Sequence, residues 1–249
     1  NDPEDPRVWW NGVVYFEFPL DSSSPSRVDN VAPSVGGWGL RLSNGSTIPN
    51  PVYSHEKGTS IATNQPLYVK GHYNADGAQT SDGATEPDDD ANFAHMNEEA
   101  PAALIADAIT LLSDNWDDVK SNKGLSSRIP ASHLEISAAL LTGLVPSGKE
   151  NGNSYSGGVE NFPRFLEEWG GDVTIRGSIV SLFESEVADQ KWDEDAYSAP
   201  SRDWGFHSKF AEGYYPPGTP NTRTYRRLNY REIDAEEYAA ALELIDNEF

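Results

Sequence analysis

The stretch DVTIRGSIVSLFES, residues 172–185, combines an apolar run with small residues and one internal glycine. HLEISAALLTGLV, residues 133–145, repeats this pattern. A glycine inside a strand marks a bend or a close approach of neighbouring backbones, and small residues that recur in successive strands suit a stack in which each rung covers the next. The pattern predicts a mainly β fold, with a right-handed parallel β-helix (β-solenoid-like) as the leading architecture and a β-sandwich as the alternative.

Further strands are expected from short runs that alternate apolar and polar residues. GGWGLRLSNGSTI (36–48) and GTSIATNQPLYVKGHYN (58–74) show this alternation, and VWWNGVVYFEF (8–18) surrounds an Asn-Gly pair that is typical of a hairpin or a tight strand turn. AALIADAITLLSDNW (102–116) fits a helix by composition and a strand by alternation, and we favour the strand.

The 249 residues suit a single β-solenoid-like domain. Its predicted parts are N-terminal strands and a loop (1–35), β rungs (36–188) and an irregular aromatic segment that wraps over the strands (189–232). An acidic, glycine-containing loop (75–99) is expected within the rungs. Proline pairs in 189–232 argue against regular strand pairing there.

Two helices are predicted. In YSGGVENFPRFLEEW (155–169), Phe162, Phe165, Leu166 and Trp169 recur at spacings of three and four, which indicates a short amphipathic helix over 160–169 with Glu167 and Glu168 in solvent. DAEEYAAALELIDN (234–247) predicts a C-terminal helix, with Asp234 as its N-cap and an apolar stripe that needs a partner surface.

Charge and cysteine content exclude several classes of function. The formal net charge of −22 would repel nucleic acid and anionic lipid. The chain has no cysteine, so disulfides, thiolate nucleophiles and cysteine-based metal sites are excluded. No stretch approaches the about 20 apolar residues of a membrane span. An acidic surface is compatible with a saline or calcium-containing exterior.

Few residues indicate chemistry. No phosphate-binding or nucleophile-elbow motif occurs, and the five histidines lack metal-ligand spacing. Asp107 lies inside an apolar run, where a carboxylate that accepts hydrogen bonds in a turn or ladder is favoured over a general acid or base. The acidic loop offers oxygen ligands that suit calcium, although a solvated loop is the simpler interpretation: Asp88, Asp89, Asp90, Asn92 and Glu98.

Exposed aromatic and apolar side chains are candidates for interactions. Trp9 and Trp10, with Tyr214 and Tyr215, could form a platform on which sugars stack, although packing at the ends of the β core explains them as well. Tyr238, Leu242 and Ile245 form the stripe of the C-terminal helix and could contact another chain.

An ordered series of segments carries a resemblance to a known family. LYVKGHYN (67–74), ALIADAITLLSDNW (103–116), ISAALLTG (136–143), YSGGVENFPRFLEEW, IRGSIVSLF (175–183) and PSRDWGFHSKF (200–210) resemble the C-terminal ectodomain of PilX-like type IV pilus assembly and cell-surface proteins. The resemblance spans about residues 36–220. It implies an extracytoplasmic, β-solenoid-like domain without catalytic residues.

One feature departs from that family. Its members usually begin with a hydrophobic prepilin-type helix, which this sequence lacks. We therefore expect an anchor that was removed or that a separate chain supplies, unless assembly uses surfaces alone.

The expected function is that of a non-enzymatic, extracellular structural protein on the cell surface, displayed on or built into a pilus-like filament. The expected partners are other filament subunits or a hydrophobic anchor chain. A carbohydrate-binding, adhesive module is the alternative. A β-helix polysaccharide lyase or hydrolase is a third possibility, for which lysine is scarce: the chain has 7 Lys among its 18 basic residues.

Overall fold

The computed structural model describes residues 10–18, 38–49, 58–75, 99–144, 162–188 and 197–219. This part of the chain is mainly β, and its ten strands form one sheet in which every pairing is parallel. The strands are β1 (Val13–Phe16), β2 (Leu40–Gly45), β3 (Thr59–Thr63), β4 (Leu67–Tyr73), β5 (Ala102–Ala106), β6 (Ile109–Leu112), β7 (Leu134–Leu144), β8 (Arg164–Phe165), β9 (Asp172–Glu184) and β10 (Ser201–Phe206).

The strands pair with every second strand along the chain. The odd-numbered strands form one ladder in the order β1-β3-β5-β7-β9, and the even-numbered strands form another in the order β2-β4-β6-β8. The two ladders join where Tyr73 of β4 pairs with Ile136 of β7. β10 adds to the first half of β9, over Asp172–Gly177. From β1 to β9 each connection therefore carries the chain from one ladder to the other, whereas β10 stays beside β9.

Side chains of both ladders bury a common core. Strand alternation puts one row of each ladder inside, and the fully buried members include Leu67, Leu104, Leu111, Ile136 and Ile175. Phe165 and Trp169 join the same cluster, with their ring centroids 5.4 Å apart in an edge-to-face arrangement. The predicted strands over 36–48, 58–74, 133–145 and 172–185 are confirmed.

The segment 102–116 is strand rather than helix, as favoured, but it is divided. β5 ends at Ala106 and β6 begins at Ile109, so Asp107 and Ala108 form the turn between the ladders. The two strands do not pair with each other. β5 joins β3 and β7, whereas β6 joins β4 and β8. The strand prediction from alternation is therefore confirmed. The turn contains Asp107, the charged residue inside the apolar run.

The predicted helix over 160–169 is wrong within the described residues. Phe162 and Pro163 are joined by a cis peptide bond, β8 follows, and Trp169 forms a parallel bridge with Ala131. Burial has a period of two, since Phe165, Glu167 and Trp169 are buried whereas Glu168 is exposed. The buried carboxylate of Glu167 hid this period, because a carboxylate usually marks a surface position.

Three other predictions need correction. β1 follows Asn11 and Gly12, but its strand neighbour is β3 in parallel, so this Asn-Gly pair does not close a hairpin among the described residues. The β-sandwich alternative is wrong for the described strands, because such sandwiches pair antiparallel strands. The segment 189–232 is not irregular throughout, since Ser201–Phe206 is the regular strand β10; the prolines flank this strand rather than interrupt it.

The chain after β10 crosses the outer face of the odd-numbered ladder. Phe210 packs with Ala103 and Ala139, and farther on the Ser60 hydroxyl donates a hydrogen bond to the Pro217 carbonyl at 2.6 Å. A short α-helix, Ser208–Ala211, begins this crossing. Pro216 and Pro217 lie farther along the crossing segment, where the proline pair predicted a region without strand pairing. Two 3-10 turns, Asp118–Lys120 and Leu125–Ser127, precede β7. Residues 76–98 of the predicted acidic loop (75–99) and the predicted C-terminal helix (234–247) lie outside the described residues.

Candidate functional site

A row of polar side chains crosses the face of β7, β9 and β10 that lies opposite the core. Glu135, Thr174 and Asp203 are register partners on the three strands, and they alternate with the core residues Ile136 and Ile175. The row extends to β4, because the backbone N–H of Glu135 donates to His72 Nδ1 at 3.2 Å. Strand pairing thus brings residues from four separated segments into one line.

Arg176 and Asp203 form the strongest interaction of this row. Arg176 Nη1 lies 2.8 Å from Asp203 Oδ1, and Arg176 Nη2 donates to Asp203 Oδ2 at 3.0 Å. The guanidinium also donates to the Asp203 carbonyl at 2.8 Å, and the Thr174 hydroxyl donates to Asp203 Oδ2 at 3.1 Å. Arg176 is 2% exposed, so burial of its guanidinium carries a substantial desolvation cost, which the bidentate ion pair with Asp203 offsets.

Two histidines lie beside this ion pair. The rings of His72 and His133 have centroids 6.1 Å apart. Burial lowers the pKa of His133, His72 lowers it further, and the carboxylates of Asp172 and Asp203 act in the opposite direction. His72 accepts a hydrogen bond at Nδ1, which leaves Nε2 as its N–H donor. In the described residues no three His, Asp or Glu side chains are placed to hold a metal ion.

Only part of the polar row is closed to solvent, because His72 and His133 are half-buried. Its charged pair is satisfied internally, and Arg176 and Thr174 are almost fully buried, so neither is accessible to a substrate. A general acid or base must reach a substrate within hydrogen-bond distance. The ion pair and the Thr174 hydrogen bond fix β9 to β10.

Asp107 has the structural role that its position in an apolar run predicted. Its Oδ1 accepts from the N–H groups of Glu186 and Val187 at 2.7 and 3.2 Å, and its Oδ2 accepts from the N–H of Ala188 at 2.7 Å. Its carbonyl accepts from Gly143 N–H at 3.2 Å. One carboxylate thus holds the chain that leaves β9 against the turn between β5 and β6.

Glu167 has a comparable role, which the sequence did not reveal. It is fully buried, and its two oxygens accept from the backbone N–H and the hydroxyl of Ser113, both at 2.6 Å. Burial raises the pKa of this carboxyl, while the Ser113 hydrogen bonds, Lys70 and Arg128 oppose that shift. The expectation that Glu167 lies in solvent is wrong, because its side chain follows the inward alternation of Phe165 and Trp169.

Asn74 provides a third internal connection. It has a positive φ of 48°, and its side-chain amide donates to the carbonyls of Ala100 and Ser137, both at 2.7 Å. Its backbone N–H donates to Gly45 at 2.8 Å. Asparagine tolerates this left-handed conformation better than most residues. The buried polar groups of Asn74, Asp107 and Glu167 therefore connect separate segments of the chain.

Exposed apolar side chains lie on the edge strands at the two ends of the odd-numbered ladder. β1 pairs only with β3 among the described strands, and Tyr15 is 57% exposed, with Val13 and Phe16 also exposed. At the other end of the odd-numbered ladder, β10 covers only the first half of β9. In the second half Leu182 and Phe183 are 52% and 44% exposed. We call these two features the β1 edge (Val13–Phe16) and the β9 edge (178–184).

Several predicted interaction residues can be located. Trp10 is partly buried next to β1, Tyr214 is exposed, and Tyr215 packs partly buried against the outer face of the ladder. Trp9, the calcium candidates Asp88, Asp89, Asp90, Asn92 and Glu98, and the helix residues Tyr238, Leu242 and Ile245 lie outside the described residues. Tyr214 is therefore the most exposed of the three predicted platform rings that the structure describes.

Sequence patterns alone did not identify Arg176 and Asp203 as a pair. A signal was present, because Arg176 interrupts an apolar strand, and a charge at such a position is usually paired. Its partner could not be identified, since Asp203 comes from a segment that was expected to be irregular. No helix in the described part of the chain is long and apolar enough to cross a membrane. Comparisons with protein families, curated proteins and solved structures find no match to this chain.

Proposed function

We propose that this chain is a non-enzymatic structural protein of the cell surface, displayed on or built into a pilus-like extracellular filament. The observation that carries the proposal is the contrast between closed polar groups and open strand edges. The charged side chains of Asp107, Glu167, Arg176 and Asp203 bind other parts of the same chain, whereas apolar side chains remain exposed at both ends of one ladder.

The proposed architecture is a β-solenoid in which each pair of strands forms one level. The alternation of the chain between two parallel ladders from β1 to β9 supports it, and so do the internal polar bonds between separate segments. A stack of this kind depends on nearest-neighbour contacts and leaves its end levels uncovered unless something caps them. Such a stack is suited to assembly and display, because its ends offer hydrogen-bonding edges and its sides stay fixed.

The resemblance to PilX-like ectodomains supports the location and the partners. It is carried by segments that become β4, β5 with β6, β7, β8, β9 and β10. Most of the described β structure is therefore built from the sequence that resembles that family. We propose other filament subunits, or a separate anchor chain, as the partners.

Deletion of residues 234–249 tests this proposal. The helix predicted for 234–247 has an apolar stripe that we assign to contacts with neighbouring subunits or with the anchor. The truncated chain is expected to lose its place in surface filaments and to keep the far-ultraviolet circular dichroism of its β strands. A truncated chain that is incorporated as efficiently as the full chain would contradict the role proposed for the helix.

A second candidate function is glycan binding, which the exposed aromatic rings favour. Tyr15, Trp38 and Tyr214 are each about half exposed, and aromatic faces can stack on sugars. This function predicts glycan binding of millimolar affinity or better that is lost in Trp9→Ala, Trp10→Ala or Tyr215→Ala, and also in Tyr214→Ala. A glycan array without any signal would count against it.

A further inference from the structure

The β1 edge and residues 178–181 of the β9 edge lack charges, prolines and bulges, whereas the end of the β9 edge has a β-bulge at Leu182 and a charge at Glu184. Proteins block free edges with charged side chains, prolines or bulges, because an unpaired strand is a template for another strand. Val13–Phe16 contains no charge and no proline, and residues 178–183 also contain neither. Both edges instead expose apolar side chains.

The hydrogen-bonding groups of the two edges are in complementary phase. In a parallel ladder, successive residues direct their backbone groups to opposite neighbours. Ser60 N–H donates to the Gly12 carbonyl, so the groups of Gly12 and Val14 face β3, and those of Val13 and Tyr15 face outward. His207 N–H donates to the Gly177 carbonyl, so the groups of Ile179 face outward in the same way.

The register of the ladder continues across these edges. The partners of Val14 in successive strands are Ile61, Leu104, Leu140 and Ile179. If β1 of a second copy follows β9, Val14 takes the next place after Ile179. The N–H of Ile179 then donates to the Val13 carbonyl, and the carbonyl of Ile179 accepts from the Tyr15 N–H. The Val13 N–H takes no part, because it donates to Asn11 Oδ1 at 3.1 Å.

We propose that copies of this chain join head to tail, with the β1 edge of one copy pairing in parallel with the β9 edge of the next. This inference rests on the proposed structural function and specifies the contact. Because the two edges differ, the contact is heterologous, and it builds an open chain rather than a closed dimer.

The charge of the chain sets the conditions for this assembly. Each copy carries a formal charge of −22, so copies repel each other at low ionic strength. Screening shortens the range of this repulsion to about 3 Å at 1 M salt. Longer assemblies are therefore expected as the salt concentration rises.

The test uses one variant for each edge. Tyr15→Pro removes an outward N–H of β1 without removing a bond to β3, and Ser181→Pro does the same at the β9 edge, since Ser181 shares the phase of Ile179. Tyr15→Lys and Ser181→Lys provide a second pair that keeps every backbone donor. Val119→Lys is the control, because Val119 is 81% exposed and belongs to neither edge.

Sedimentation velocity in about 1 M KCl measures the outcome. The full chain and Val119→Lys should form a concentration-dependent series of oligomers, whereas each edge variant alone should remain monomeric. An equimolar mixture of Tyr15→Pro and Ser181→Pro should form dimers and nothing larger, because only one intact edge of each kind remains. The lysine pair should behave in the same way.

The inference would be overturned if the full chain stayed monomeric under all conditions, or if the mixture of the two proline variants formed no dimers. It would also be overturned if an edge variant still formed the oligomer series while its circular dichroism spectrum matched that of the full chain. None of these would contradict the structural function, because incorporation into native filaments through the C-terminal helix is measured separately. Conversely, oligomers of the purified chain without any cellular filament would contradict the function and keep the edge contact.

Discussion

Replacement of Asp107 is expected to destabilise the fold strongly. In Asp107→Ala the N–H groups of Glu186, Val187 and Ala188 lose their acceptor. Glu186 is exposed and its N–H can turn to water, but Val187 and Ala188 are buried. An orphaned buried donor costs about 1–3 kcal/mol, so the two together give about 2–6 kcal/mol.

Asp107→Asn separates charge from shape. The amide oxygen can still accept two of the hydrogen bonds, while the amide N–H₂ faces a donor at the third, so a loss of about 1–3 kcal/mol is expected. Asp117→Ala is the matched control. Asp117 Oδ1 accepts only one N–H, from Val119 at 3.0 Å in an exposed 3-10 turn, and its loss should cost about 1 kcal/mol.

Urea unfolding at constant salt measures all three variants. The expected order of destabilisation is Asp107→Ala, then Asp107→Asn, then Asp117→Ala. If Asp107→Ala cost no more than Asp117→Ala, the inference that one carboxylate holds the 186–188 segment would be refuted.

Three further predictions concern buried positions. Burial, with a contribution from Lys209, lowers the pKa of His207 to about 4. Below pH 6.5 the unfolded chain therefore binds a proton that the folded chain does not, so the free energy of unfolding should fall by about 3 kcal/mol from pH 6.5 to 4. His207→Asn should remove that part of the pH dependence in urea titrations. An unchanged slope would refute this assignment. Trp169→Ala should cost about 3–5 kcal/mol because the ring is 6% exposed in the core, against about 1 kcal/mol or less for the half-exposed Trp38→Ala; equal losses would show that the Trp169 ring is not buried. A Cβ on Gly177 would lie 1.8 Å from the Ala138 carbonyl oxygen, whereas one on Gly171 meets no atom within 4 Å, so Gly177→Ala should lower the midpoint of thermal unfolding clearly more than Gly171→Ala.

Sequence patterns predicted the strands because alternation is a local property. β4, β7 and β9 each have an apolar row and small residues that can be recognised without knowing the neighbours. The turn at Asp107 also had a local signal, namely a charge inside an apolar run. The mainly β class therefore followed from single segments.

Residues whose role depends on distant segments could not be predicted. Glu167 is buried because Ser113, 54 residues away, supplies two donors. Arg176 is buried because Asp203 joins it through the pairing of β9 with β10. Spacing alone made 160–169 resemble a helix, since its aromatic residues fit periods of three and four as well as period two. Pairing between strands decided these cases, and pairing is not encoded in any one segment.

Immunogold electron microscopy of cells that produce this chain tests the central claim most directly. With antibodies against the described β region, the proposal predicts gold particles on extracellular filaments, and loss of this label from the filaments when residues 234–249 are deleted. Label confined to the cell interior or to free monomers in the medium, with no labelled filament, would contradict a role as a structural filament protein.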